Sequence, residues 1–149
     1  MFFSQLHEYL PELAMNETRT ITLPKSLNGI PAAEYGLIEM YCNEKKCDCR
    51  RVFLNVVSSQ TQDSVAVIAF GWENEKFYAR WMGFGKHLNR QELLDVRELK
   101  GPCLNRMSPQ SKYAPEILKL VTECVLNDDV YVNRLKRHYK LFKEIVNGR

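Results

Sequence analysis

Three of the five cysteines in this chain lie within eight positions, in the stretch YCNEKKCDCRRVFLNVV at 41–57. Cys42 precedes a polar turn, and Cys47 and Cys49 lead into a run of β-forming residues. Residues two apart in an extended segment project to the same side, so Cys47 and Cys49 can direct their sulfurs to one point. A turn that joins the two strands then brings all three thiols together, as in a zinc knuckle within a hairpin.

The same cysteines also have simpler interpretations. Any one of them could be a small apolar residue of the core, and two of them could form a redox pair. Three cysteines in one polar turn favour metal binding over both alternatives, and thiolate ligands make zinc the expected ion.

A tetrahedral zinc site needs a fourth ligand, and the sequence offers two candidates. His138 lies in a helical stretch with Leu135, Phe142 and Ile145 at helical spacings, which places it on the apolar face near the sheet. A histidine there is usually a core residue, but a three-cysteine site that needs one more ligand makes it the preferred candidate. Cys103, in an irregular Gly-Pro segment, is the alternative. Four protein ligands would make the site structural, whereas three ligands plus water is the catalytic pattern.

Basic residues form a second pattern around the cysteines and along the last predicted helix. They could contact phosphate groups of a nucleic acid, although a basic helix face is usually just solvated. The candidates are Lys45, Lys46, Arg50, Arg51, Arg134, Arg137 and Lys140.

The composition is typical of one globular domain spanning 1–149, with residues 1–17 as a candidate flexible start. The chain has 149 residues, of which 45% are hydrophobic and 26% charged, and a net charge of +3. This mild charge permits a nucleic-acid partner without requiring one. Its first residues lack the pattern of a signal peptide, and no stretch approaches the roughly 18 apolar residues of a membrane span. We therefore expect a cytoplasmic protein with no membrane partner, in which thiols stay reduced.

The helices and strands that must position these residues are predicted from the hydrophobic periodicity and from the Gly and Pro residues that interrupt it. The pattern predicts an α+β fold, with an antiparallel sheet of four to five strands and the C-terminal helices packed on one face. The strand at 50–57 is expected to be central, and the helix at 89–99 is expected to be capped by Asn89, with Glu92 as its capping-box partner. The predicted helices are 3–10, 89–99, 115–127 and 128–146, and the predicted strands are 18–23, 35–42, 50–57, 64–72 and 76–83.

Five stretches carry a family resemblance: YCNEKKCDCRRVFLNVV, FGWENEKFYARWMG, ELKGP, PQSKYAP and YVNRLKRHYKLFKE. They are similar to a family of small uncharacterised bacterial proteins with a C-x4-C-D-C-R-R-V core and a terminal R-H-Y helix, some of them linked to SEC-C-type metal motifs. The resemblance spans about 35–145 and implies Cys42, Cys47, Cys49 and His138 as a metal set. It implies no activity, and these 149 residues contain no SEC-C segment.

The function expected from the sequence is that of a zinc-binding domain with a structural metal, acting as a binding or adaptor module for an unidentified protein partner. No nucleophile elbow, H-E-x-x-H or paired-carboxylate motif is present, so no catalytic residue is assigned and an enzyme is not the favoured interpretation. The alternatives are a zinc-dependent hydrolase, with His87 or Glu39 as base, and a nucleic-acid-binding protein that uses the basic C-terminal helix.

Overall fold

The structure is a computed structural model, and it describes residues 2–149. The strands are β1 (Phe3–Gln5), β2 (Thr20–Leu23), β3 (Ala33–Cys42), β4 (Arg51–Ser58), β5 (Ser64–Gly71) and β6 (Cys103–Leu104). The helices are α1 (Leu6–Tyr9), α2 (Pro11–Glu17), α3 (Glu75–Trp81), α4 (Arg90–Lys100), α5 (Ala114–Cys124) and α6 (Asp129–Asn147). No helix within these described residues has both the length and the apolar character needed to cross a membrane.

All six strands form one antiparallel sheet in the order β1-β3-β4-β5-β6, with β2 also paired to β3. The central position predicted for β4 is confirmed, because it pairs with β3 on one side and β5 on the other. Val52, Leu54 and Val56 alternate along β4 and are fully buried, as expected for one face of a covered strand. The α+β prediction is therefore confirmed.

Helices α5 and α6 cover the face that carries these valines and leucine. Pro115 lies in the first turn of α5, and the Asp128 carboxylate caps α6 by accepting a bond from the backbone N–H of Val130 at 2.9 Å. Leu135 and Phe142 of α6 are fully buried in the same core as β4. Cys124, which periodicity places on the apolar face of α5, is instead exposed at the last residue of that helix.

The strand predicted at 76–83 is wrong, because residues 75–81 form helix α3. The side chain of Asn74 caps this helix by accepting a bond from the N–H of Phe77 at 2.9 Å. Tyr78 packs in a small second cluster against α4, while Trp81 remains 38% exposed. Helix α4 begins, as predicted, with a capping box between Asn89 and Glu92.

The N-terminal segment differs from the predicted helix at 3–10. Residues 3–5 form β1, in which Phe3 lies opposite Cys42 and stacks on Phe53 with ring centroids 4.2 Å apart. Only after Gln5 does the chain enter α1 and then α2, which begins at Pro11. Residues 3–17 thus consist of one strand and two short helices, with α1 packed against β3 and α6.

The short strand β6 was not predicted, and its position depends on Gly101. This residue ends α4 with a φ of 64°, in the left-handed region that favours glycine. A Cβ atom there would lie 2.1 Å from the carbonyl oxygen of Ala69, so only glycine allows the chain to pass this close to β5. Cys103 then pairs with Ala69 across the ladder.

Candidate metal centre

The connection from β3 to β4 brings the three clustered cysteines together, as the sequence predicts. Cys42 is the last residue of β3, and Cys49 lies two residues before β4. The Sγ atoms of Cys42, Cys47 and Cys49 all lie within 4.8 Å of one another. Zinc–sulfur bonds of about 2.3 Å in a tetrahedron place sulfurs about 3.8 Å apart, so a small contraction suffices to hold an ion. The three cysteines are free thiols and form no disulfide.

Two residues of this connection adopt left-handed backbone conformations without being glycine. Lys46 has a φ of 63° and Arg50 a φ of 51°. Such conformations cost on the order of 1 kcal/mol each and persist only where the surroundings impose them. They turn the chain on either side of Cys47 and Cys49, which is how a short polar loop presents three sulfurs to one point.

Helix α6 supplies the contacts that hold the strained loop. The backbone N–H of Lys46 donates to Oδ1 of Asn147 at 2.9 Å, and that of Arg50 donates to the hydroxyl of Tyr139 at 3.2 Å. The Nζ atom of Lys143 donates to the carbonyls of Cys42 and Glu44, at 3.3 and 2.6 Å. Each of the two left-handed residues is therefore fixed by a side chain of α6.

The sulfurs themselves form a hydrogen-bonded group. Bonds from the Cys49 thiol and from the backbone N–H of Glu44 outweigh the effect of burial and lower the pKa of Cys42 to about 6, with the Lys143 charge contributing. The same sulfur–sulfur bond raises the pKa of Cys49 strongly, and burial raises that of Cys47. Three cysteine sulfurs at one point are a donor set suited to a soft or borderline cation.

The structure does not bring His138 to the cysteines, so its prediction as fourth ligand needs correction. His138 is fully buried, with Nδ1 2.6 Å from Oε1 of Glu39 and Nε2 3.1 Å from Oε1 of Glu17. Both ring nitrogens are therefore occupied by carboxylates rather than free for a metal. His138 thus behaves as a core histidine whose partners were not recognised in the sequence.

The alternative ligand, Cys103, is also directed elsewhere. It lies on β6, and its thiol donates to the carbonyl oxygen of Glu98 at 3.1 Å. Among the described residues, no Asp, Glu, His or further Cys joins the three-sulfur group. The described residues therefore bring three side-chain ligands together at this point.

The buried group around His138 forms a second polar cluster, which we call the Glu–His–Glu cluster and define as Glu17, Glu39 and His138. Oε1 of Glu39 also accepts a bond from the hydroxyl of Tyr41 at 2.6 Å. Glu17 is bound by Arg137 as well, and this contact together with His138 lowers the pKa of Glu17 to about 2. The cluster joins α2, β3 and α6 through hydrogen bonds between their side chains.

The predicted basic surface is largely committed to contacts within the protein. Arg51 is buried, Arg50 pairs with Asp48 at 2.8 Å, and Arg134 donates to the backbone carbonyl of Glu17 at 3.1 Å. Arg137 pairs with the carboxylate of Glu17. The exposed residues of the set that form no ion pair with the described residues are Lys45, Lys46 and Lys140.

Sequence reasoning missed the residues of α6 that hold the cysteine loop. Tyr139, Lys143 and Asn147 lie four residues apart, a spacing that places them on one helix face. These three polar groups on one face of the helix were the signal available in the sequence. Their contact with the cysteine loop could not be predicted from it, because Lys143 and Cys42 are 101 residues apart in the chain.

Comparisons with protein families, with curated proteins and with solved structures find no match to this chain. The family resemblance described from the sequence accordingly stays a prediction.

Proposed function

We propose that this chain is a zinc-binding protein in which Cys42, Cys47 and Cys49 hold a structural ion, and that the domain acts as a binding or adaptor module. The observation that carries the proposal is the convergence of the three sulfurs within 4.8 Å in a loop tied to α6. Thiolates select borderline and soft ions, and zinc is the borderline ion that protein thiolates hold in structural sites.

The charges next to the sulfurs favour a divalent ion. A divalent cation with three thiolates carries one net negative charge, and the ammonium group of Lys143 lies against the same loop with only 6% exposure. A buried lysine needs a nearby negative charge or a full set of acceptors. A metal–thiolate centre would supply that charge.

A structural role is preferred to hydrolysis because the expected bases are committed or remote. Glu39 binds His138 and Tyr41 in the core, and His87 is exposed in the segment before α4. Asp48, inside the loop, is bound by Arg50 and by the Tyr139 hydroxyl. Glu39 and Asp48 are thus bound by other groups, and His87 is not among the residues gathered at the sulfurs, so none of the three is positioned to activate a metal-bound water.

The test is the metal content of untagged protein purified under reducing conditions. We expect about one zinc per chain in the wild type and in Cys124→Ser, which changes an exposed cysteine outside the loop. Cys49→Ser removes one of three ligands and should lose most of the metal. A wild-type chain without metal even after incubation with zinc, or equal zinc in Cys49→Ser, would refute the proposal.

A further inference from the structure

A cavity of about 290 Å³ lies between α4 and the β4–β5–β6 part of the sheet, on the face opposite α5 and α6. Its apolar walls are formed by Ala69, Met82 and Leu99. Two charged side chains of opposite sign, Arg51 and Asp95, also line it. The volume is at the lower end of the range for small-molecule sites, which suits a ligand the size of one amino acid.

Arg51 is a buried cation without a carboxylate partner. It is only 7% exposed, and its one hydrogen bond to the described residues runs from Nε to the carbonyl of Leu99 at 2.8 Å. It forms no ion pair, although its guanidinium carbon lies over the rings of Phe53 and Phe3 at 5.3 and 6.0 Å. Buried arginines are nearly always paired, because the desolvated charge is otherwise costly. The two Nη groups of Arg51 are thus left without an acceptor in the part of the chain that the structure describes.

Asp95 is the corresponding anion. Its Oδ1 atom accepts a bond from the side-chain amide of Gln91 at 2.9 Å, and it forms no ion pair with the described residues. Glu98, the other acid lining the cavity, is already paired with Arg106 at the rim. The cavity therefore contains one uncompensated cation and one uncompensated anion that do not pair with each other.

We propose that this cavity binds a small zwitterion of the α-amino-acid class with an apolar side chain. The guanidinium of Arg51 binds the carboxylate of the ligand through its free Nη donors, which match a carboxylate in geometry. Asp95 binds the ammonium group, and Ala69, Met82 and Leu99 contact the side chain. A simple anion would face Asp95 and a simple cation would face Arg51, so only a zwitterion satisfies both charges.

The experiment uses Cys103 as a reporter, since its thiol lines the same cavity. The full chain is alkylated with iodoacetamide in the presence of L-leucine, and the modification of Cys103 and of the exposed Cys124 is followed by peptide mass spectrometry. Leucine should slow the modification of Cys103 in a saturable manner and leave that of Cys124 unchanged. Leucinamide, which lacks the carboxylate, and 4-methylpentanoate, which lacks the ammonium group, should protect at least about tenfold less well.

This ligand series tests Arg51 without replacing a buried residue. Asp95 is tested by Asp95→Asn, which keeps an acceptor for Gln91 and should weaken protection by leucine about tenfold or more, but not that by 4-methylpentanoate. Arg90→Gln changes an exposed residue at the other end of α4 and is the matched control. The proposal is overturned if leucine fails to protect Cys103 at about 20 mM, well above the dissociation constants of weak small-ligand sites. Equal protection by all three compounds, or full protection in Asp95→Asn, would overturn it as well.

Discussion

Two polar clusters contact helix α6, and they satisfy their charges in different ways. In the Glu–His–Glu cluster, the imidazole of His138 lies between two carboxylates, so both ring nitrogens have partners within the protein, while Oε2 of Glu39 has none among the described residues. In the metal centre, three sulfurs meet at one point with the backbone N–H of Glu44 and the charge of Lys143 as their main support. The first cluster pairs side chains of the protein with one another, whereas the second brings together three sulfurs that a bound cation would join. His138 is therefore bound by carboxylates of its own cluster and is not needed as a ligand of the cysteine group.

The largest effect on stability is expected from disrupting the Glu–His–Glu cluster. His138→Ala removes the imidazole partner of the buried Glu39 carboxyl and leaves a cavity in the core, so we expect a loss of about 3–5 kcal/mol of unfolding free energy. Urea denaturation of wild type and variant measures this loss, which should be the same with and without a chelator. A fall in metal content of folded His138→Ala would instead make His138 part of the metal centre.

The metal centre should respond to chelation in a way that the other cluster does not. With zinc at about a thousandfold excess over its dissociation constant, the bound ion contributes about 4 kcal/mol to stability, and Cys49→Ser should lose most of it. A chelator should lower the unfolding free energy of the wild type and of Cys124→Ser by similar amounts. It should change that of Cys49→Ser little. Equal sensitivity of all three proteins to the chelator would remove the distinction between the two clusters.

Lys143 should have an intermediate effect, because it supports the metal centre without being a ligand. Lys143→Met keeps much of the side-chain volume but removes the donor to the carbonyls of Cys42 and Glu44. Loss of such a supporting contact typically weakens metal affinity by about 10- to 100-fold, measured here by competition with a chromophoric chelator. Lys140→Met, on the exposed side of α6, is the control. Unchanged affinity in Lys143→Met would show that the loop does not depend on this contact.

The smallest expected effect is a loss of stability at acidic pH, and it arises from Glu17 in the Glu–His–Glu cluster. The pKa of Glu17 is lowered from 4.5 to about 2 in the folded protein, so its contribution is complete above pH 4.5 and is lost as pH falls towards 2. Because Glu17 is partly exposed, the loss should be only about 1 kcal/mol. Unfolding of chelated protein across this range measures it, and Glu17→Gln should flatten the profile. An identical acid profile in the variant would contradict the role of Glu17.

The sequence predicted those parts of the molecule whose cause is local. Alternation along β4, the capping box at Asn89 and the short spacing of the cysteines all act within a few residues. The strand predicted at 76–83 failed because its aromatic residues have high β-propensity, and the cap at Asn74 that starts a helix there was not recognised.

Contacts between distant parts of the chain could not be predicted in this way. His138 meets Glu39 and Glu17 from 99 and 121 residues away, and periodicity places a side chain on a face without naming its partner. For the same reason, the hydrogen bond from Lys46 in the cysteine loop to Asn147 could not be predicted, because the two residues are 101 positions apart.

X-ray absorption at the zinc edge of the loaded protein tests the central claim most directly. The metal centre described here predicts three sulfur neighbours at about 2.3 Å and one oxygen or nitrogen donor that does not come from His138. The spectrum of His138→Gln should therefore match that of the wild type. Fewer than three sulfurs, or an imidazole signal that disappears in His138→Gln, would contradict a centre built from Cys42, Cys47 and Cys49 alone.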